Sequence, residues 1–230
     1  DVGFDVPAGA CFGLVGVNGA GKTTLIRCLL DANRATSGGA EIFGEPGTAT
    51  AARRHVAFLP ERFSAPFYLT GRDFLTLMAK LYDHPTTDVE VFAALDALDL
   101  ARDALDRSIR TWSKGMAQKL GLAACLLSGR ALLVLDEPAS GLDPRARAAL
   151  KAALRARQAS GATIFLTSHA LADVDETRTC RERCVELVDV HLTDGHVGNL
   201  PSGRSLGSFA LRTSAGSTST SITRSPSSRA

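Results

Sequence analysis

Gly16-Val17-Asn18-Gly19-Ala20-Gly21-Lys22-Thr23-Thr24 decides the fold, because it fits the pattern G-x-x-x-x-G-K-[ST] and its flanks fit the structure that this pattern requires. Val6 to Val15 supplies an apolar run before it, and after it Leu25, Ile26, Leu29 and Leu30 recur at helical spacing. The stretch therefore reads as a loop between a strand and a helix. Glycines allow consecutive backbone N–H groups to turn inward around phosphates, Lys22 sets a cation against the terminal ones, and Thr23 offers a hydroxyl to Mg²⁺. Asn18, Gly19, Gly21, Lys22, Thr23 and Thr24 are accordingly the expected contacts of a nucleoside triphosphate.

Working outward, 230 residues with 45% apolar content can bury a sizeable core as one domain of two lobes, which excludes disorder throughout. A net charge of +2 gives no case for nucleic acid or an anionic membrane surface. The five cysteines and five histidines are scattered, so neither a disulfide framework nor a zinc site is expected, and a reducing cytosol is. No apolar run reaches the roughly 18 residues that a bilayer-spanning helix needs. Any membrane crossing is expected to belong to another chain.

Asp1 to Gly9 reads as a strand with no lead-in, and short strands are expected at Ala40 to Phe43 and His55 to Leu59. From Thr70 to Tyr82, Phe74, Leu77, Met78 and Leu81 recur at i, i+3, i+4 and i+7; Val91, Leu95 and Leu98 continue that period, and Met116, Leu120, Ala124 and Leu127 share one face after Gly115. These stripes are expected in the core, and residues from about 70 to 128 are expected to form a helical insertion. Ala131 to Leu135 then reads as a strand buried on both faces that delivers Asp136 and Glu137 at its C-terminal end, where open α/β sheets place ligands. Asp143-Pro144 opens a helix, and Thr163 to Leu166 is a further strand carrying Thr167, Ser168 and His169 past its end. Alternation of strands and helices indicates a mostly parallel sheet.

With a phosphate loop upstream, Asp136 suits the Mg²⁺ shell and Glu137 the water that attacks a γ-phosphate. Taken in order, these motifs resemble the ATP-binding cassette domains of ABC transporters over about Asp1 to Asp175. Gly16 to Thr24 is similar to the family's Walker A loop, Leu132 to Glu137 to Walker B with its catalytic glutamate, Ser140-Gly141-Leu142-Asp143 to the D-loop, and His169 to the switch histidine. Trp112-Ser113-Lys114-Gly115-Met116 stands where the L-S-G-G-Q signature belongs, and its S-K-G-M form resembles a subset of exporter cassettes.

The resemblance implies a P-loop NTPase of the ABC type: an α/β fold with a mostly parallel sheet, a small antiparallel β part and a helical subdomain. It implies ATP and Mg²⁺, catalysis by Glu137 and His169, nucleotide contacts that include Ser113, Gly115 and Asp143, and metal contacts at Thr23, Asp136 and Glu61. Glu61 occupies the position where the family has a glutamine. Two such domains are expected to close head to tail around ATP, with Ser113 and Gly115 reaching the γ-phosphate held by Lys22 of the other subunit. An integral membrane permease is the second expected partner, which puts the chain peripherally on the cytoplasmic face of the cell membrane.

Both ends depart from the family. The strand whose aromatic residue stacks on adenine would lie upstream of Asp1, and the apolar pattern breaks at Thr177-Arg178-Thr179-Cys180-Arg181. Two explanations stand side by side: a shifted reading frame near Glu176 to Cys180, or a natural tail after a divergent helix. The expected organisation is thus an ATP-binding domain over 1–200 and an unordered or out-of-frame tail over 201–230, where about a third of the residues are serine. Other functions remain open: a truncated module that binds ATP without turnover, or a soluble cassette ATPase outside transport.

Overall fold

The computed structural model describes residues 3–169, together with the backbone of segments 187–189 and 208–212. Strands β1 (Phe4–Pro7) and β2 (Cys11–Val15) lead into helix α1 (Lys22–Leu29). Next come β3 (Gly39–Ile42), β4 (Glu45–Pro46), the short α2 (Thr50–Arg53) and β5 (Val56–Leu59). Three helices follow, α3 (Gly71–Leu81), α4 (Asp88–Ala97) and α5 (Lys114–Leu127). β6 (Leu132–Leu135), α6 (Pro144–Ala159), β7 (Thr163–Ser168), β8 (Leu187–Asp189) and β9 (Ser208–Arg212) complete the described elements.

The larger sheet has the order β5-β6-β7-β2-β8, and every pairing in it is parallel. The smaller one, β1-β9-β3-β4, is antiparallel. In a strand successive side chains point to opposite faces, so a strand covered on both sides must be apolar throughout. β6 obeys this rule: Leu132 and Val134 join one buried cluster with Phe12, Phe165 and Ile26, while Leu133 and Leu135 join another with Leu120, Leu150 and Leu166. Because the strands are parallel, β2, β6 and β7 all release their next residues at one edge of the sheet.

The helices begin where their sequences say. Thr70 and Thr87 cap α3 and α4, each accepting the N–H of an acidic residue three positions on whose carboxylate returns to the threonine N–H, the reciprocal capping box. Val91, Leu95 and Leu98 are buried as their spacing requires. The α3 stripe is only partly so, since Phe74 is buried and Met78 lies against the core, but Leu77 and Leu81 are exposed and Leu75 is buried instead. α3 lies against α5, and an arc through Phe74, Leu75 and Met78 faces that neighbour; Leu77 and Leu81 fall outside it.

The expected unordered tail over 201–230 is corrected at one place. Ser208–Arg212 forms β9, which enters the smaller sheet between β1 and β3 with Phe209 opposite Val6 and Leu211 opposite Phe4. Serine-rich composition hid the alternation of Phe209 and Leu211, a strand-like period of two. The remainder of that stretch and the break at Thr177 to Arg181 lie outside the described residues.

Candidate functional site

α1 starts directly from the glycine loop. Gly19 and Gly21 both take the left-handed conformation, at φ 87° and 92°, which glycine adopts without the steric penalty of a Cβ. Gly21 is the residue before the helix, no side chain caps α1, and its first turn holds no acid. The free N–H groups and the positive end of the helix dipole are therefore left for an anion. Asn18, Gly19 and Thr24 lie exposed on this loop and the start of α1.

Lys22 is buried, unusual for an ammonium, and its Nζ donates to the carbonyl oxygens of Gly16 at 2.6 Å and Val17 at 3.3 Å. The same nitrogen lies 3.4 Å from Glu137 Oε1. That oxygen is buried and, among the described residues, receives no hydrogen bond; the Lys22 ammonium is its ion-pair partner. Thr23 Oγ1 donates to Asp136 Oδ2 at 2.8 Å, joining the start of α1 to the end of β6.

Asp136 is fully buried, and its other oxygen, Oδ1, accepts from the Thr167 hydroxyl at 2.6 Å. The Glu137 N–H donates to Thr167 Oγ1 at 2.9 Å, while Glu137 Oε2 lies 2.8 Å from His169 Nδ1. Glu137 has φ 48°, a left-handed conformation that costs a non-glycine residue about 1–3 kcal/mol and clusters at functional sites. Lys22, Thr23, Asp136, Glu137 and His169, expected from the sequence, thus meet at one edge of the sheet, and Thr167 joins them.

A hydroxyl and a carboxylate are hard oxygen donors of the kind Mg²⁺ accepts beside phosphate oxygens. Among the described residues no cluster of three or more His, Cys, Asp or Glu gathers as a self-sufficient metal site. The donor set fits a metal brought in with a nucleotide.

The other expected residues stand elsewhere. Glu61 is exposed after β5, and among the described contacts none ties it to Thr23 or Asp136. Ser113 caps α5, its Oγ accepting the Met116 N–H at 3.2 Å, and it remains exposed. Asp143 caps α6, its carboxylate accepting the Ala146 N–H at 2.8 Å, a bond that holds the carboxyl pKa below its ordinary value. Gly115 packs on the loop that follows Glu137: a Cβ there would meet the Gly141 carbonyl oxygen at 3.3 Å. One turn further, the buried Gln118 donates from Nε2 to the Pro138 carbonyl at 3.4 Å. The start of α5 is therefore seated on the segment leaving the carboxylates.

Comparison with known proteins gives the same picture. The family described as ABC transporter matches residues 1–140. An uncharacterized ABC transporter ATP-binding protein of Nostoc is 39% identical over 172 residues, covering 73% of this chain and 51% of that protein. Nod factor export ATP-binding protein I of Ralstonia nicotianae is 37% identical over 186 residues, covering 79% of this chain and 57% of that protein. The chain thus spans just over half the length of these relatives. A solved structure of an ATP-binding subunit of an ABC transporter superposes with a TM-score of 0.72 at 31% identity, covering 83% of this chain and 78% of its own.

Proposed function

The chain belongs to the ABC transporter family, and from that premise we propose that it binds and hydrolyses ATP to drive export through a separate membrane subunit. The observation that supports this most is the convergence of Lys22, Thr23, Asp136, Glu137 and His169 at the C-terminal edge of the parallel sheet. Export follows from the likeness to a relative named for Nod factor export. Among the described residues no helix is long and apolar enough to cross a membrane, which accords with a peripheral subunit beside a permease.

In this mechanism Lys22 exchanges its contacts with Gly16 O and Val17 O for phosphate oxygens, in a place of low dielectric where charge acts strongly. Thr23 and Asp136 would hold Mg²⁺, which supplies neutralisation of charge on the phosphates. Glu137 Oε1, without a hydrogen-bond donor, is placed to orient a water and accept its proton. His169 fixes the second carboxylate oxygen, so that Oε1 keeps its direction. Ser113 and Gly115, which no described contact ties to Lys22 of their own chain, complete the γ-phosphate contacts of a second subunit, and Asp143 shapes the loop beside them as a helix cap.

Size-exclusion chromatography with and without Mg²⁺-ATP tests the assembly. The wild-type protein is expected to form dimers with nucleotide and Lys22→Ala is not. Nucleotide-dependent dimers of Lys22→Ala would contradict the scheme, and ATP binding without turnover or dimers would favour a module that only binds nucleotide.

A further inference from the structure

Strand β7 lies between β2 and β6, so its C-terminal end stands between the glycine loop and the two carboxylates. Thr167, near that end, is completely buried. Its hydroxyl has a single proton: accepting the Glu137 N–H at 2.9 Å leaves that proton to be donated to Asp136 Oδ1 at 2.6 Å. Asp136 consequently receives a hydroxyl proton on each oxygen, from Thr167 on one side and Thr23 on the other. Two residues beyond Thr167, His169 meets Glu137 Oε2 at 2.8 Å. The end of β7 holds Glu137 twice, by its backbone N–H and by its carboxylate.

We propose that Thr167 is a positioning residue that sets the orientation of both carboxylates, fixing Asp136 for metal and Glu137 for water. This rests on the ATP-hydrolysis assignment above. Its chemistry is that of an outer-shell hydrogen-bond donor, a group whose loss typically lowers metal affinity or activity about 10- to 100-fold. Glu137 adds to the need, because its N–H, at a residue of left-handed backbone, is satisfied by the threonine oxygen.

Thr167→Val removes the hydroxyl at nearly constant shape, and Thr167→Ser keeps the hydroxyl while removing a methyl group. In the nucleotide-free protein, exchange of the Glu137 amide hydrogen is expected to rise about tenfold in Thr167→Val, as loss of one buried hydrogen bond implies, and to stay near wild type in Thr167→Ser. In Mg²⁺-ATP turnover, Thr167→Val is expected to lose about 10- to 100-fold in kcat at saturating Mg²⁺-ATP and to need more Mg²⁺ for its half-maximal rate, and Thr167→Ser to recover most of both. Unchanged Glu137 amide protection, a wild-type kcat in Thr167→Val, or equal losses in both variants would overturn the proposal. Glu137→Gln measured in parallel separates the two levels: wild type no faster than Glu137→Gln contradicts the hydrolysis assignment, while amide exchange still decides the role of Thr167.

Discussion

The Thr23 hydroxyl donates a 2.8 Å hydrogen bond to Asp136 Oδ2, joining two motifs 113 positions apart in sequence. The pair presents a hydroxyl and a carboxylate to one point, the arrangement a hard divalent cation shares with phosphate oxygens. Asp136→Asn should therefore remove the Mg²⁺-dependent part of ATP binding, about tenfold or more in Kd, while leaving the metal-free affinity nearly unchanged. Titration of fluorescent ATP with Mg²⁺ and with EDTA checks this, and an undiminished Mg²⁺ effect would refute it.

Ser113 caps α5 and, in the proposed dimer, touches the phosphate of a second subunit. Aspartate caps helices as well as serine does, but it repels a phosphate. Ser113→Asp is expected to keep stability within about 0.5 kcal/mol and to lose ATP-dependent dimers, whereas Ser113→Ala loses about 1 kcal/mol of cap stability. Urea denaturation and sizing separate the two effects.

Gly121 brings α5 against β5 and the segment after it, since a Cβ would stand 2.6 Å from Leu59 Cδ1 and 2.9 Å from the Phe63 ring. Leu59 is fully buried and has little room to yield. Gly121→Ala gains about 1 kcal/mol of helix propensity but incurs an overpacking cost of about 1–3 kcal/mol. A net loss of up to about 2 kcal/mol is expected in urea denaturation; a stabilised variant would contradict this close approach.

How far the sequence spoke depended on whether a residue's task is local. The glycine loop and the apolar strand before Asp136 are local patterns, and each is realised where expected; the capping boxes at Thr70 and Thr87 are equally local, though the reading of the sequence did not name them. Thr167 escaped because its partners lie 31 and 30 positions away and a threonine in a buried strand resembles any other. Leu77 and Leu81 were misread because periodicity marks an apolar stripe without saying how much of it a neighbouring helix covers. β9 escaped because a five-residue alternation is weak within serine-rich surroundings. Asp143 is informative in both ways: its place in a family motif suggested nucleotide, and its geometry is that of a helix cap.

The two capping boxes also set a pH dependence. The Thr70 hydroxyl, then the Thr70 N–H, holds the Asp73 carboxyl below its ordinary 3.8, and the Thr87 N–H, then its hydroxyl, holds Glu90 below 4.5. Groups with depressed folded-state values bind protons more readily when unfolded, so their contribution is present above those ordinary values and is lost as pH falls through the lower folded ones. The denaturation midpoint of Asp73→Asn/Glu90→Gln should therefore fall less steeply than wild type on acidification below about pH 5, and parallel curves would contradict this assignment.

The most direct test of the central claim is steady-state Mg²⁺-ATP hydrolysis by wild type and Glu137→Gln, with the oligomeric state followed in the same samples. Lys22 and His169 already hold the two oxygens of Glu137 in the folded chain. The expected result is turnover by wild type, a rate at least about 100-fold lower in Glu137→Gln through loss of the proton acceptor, and accumulation of its ATP-bound dimers. Equal rates in the two proteins would contradict the account.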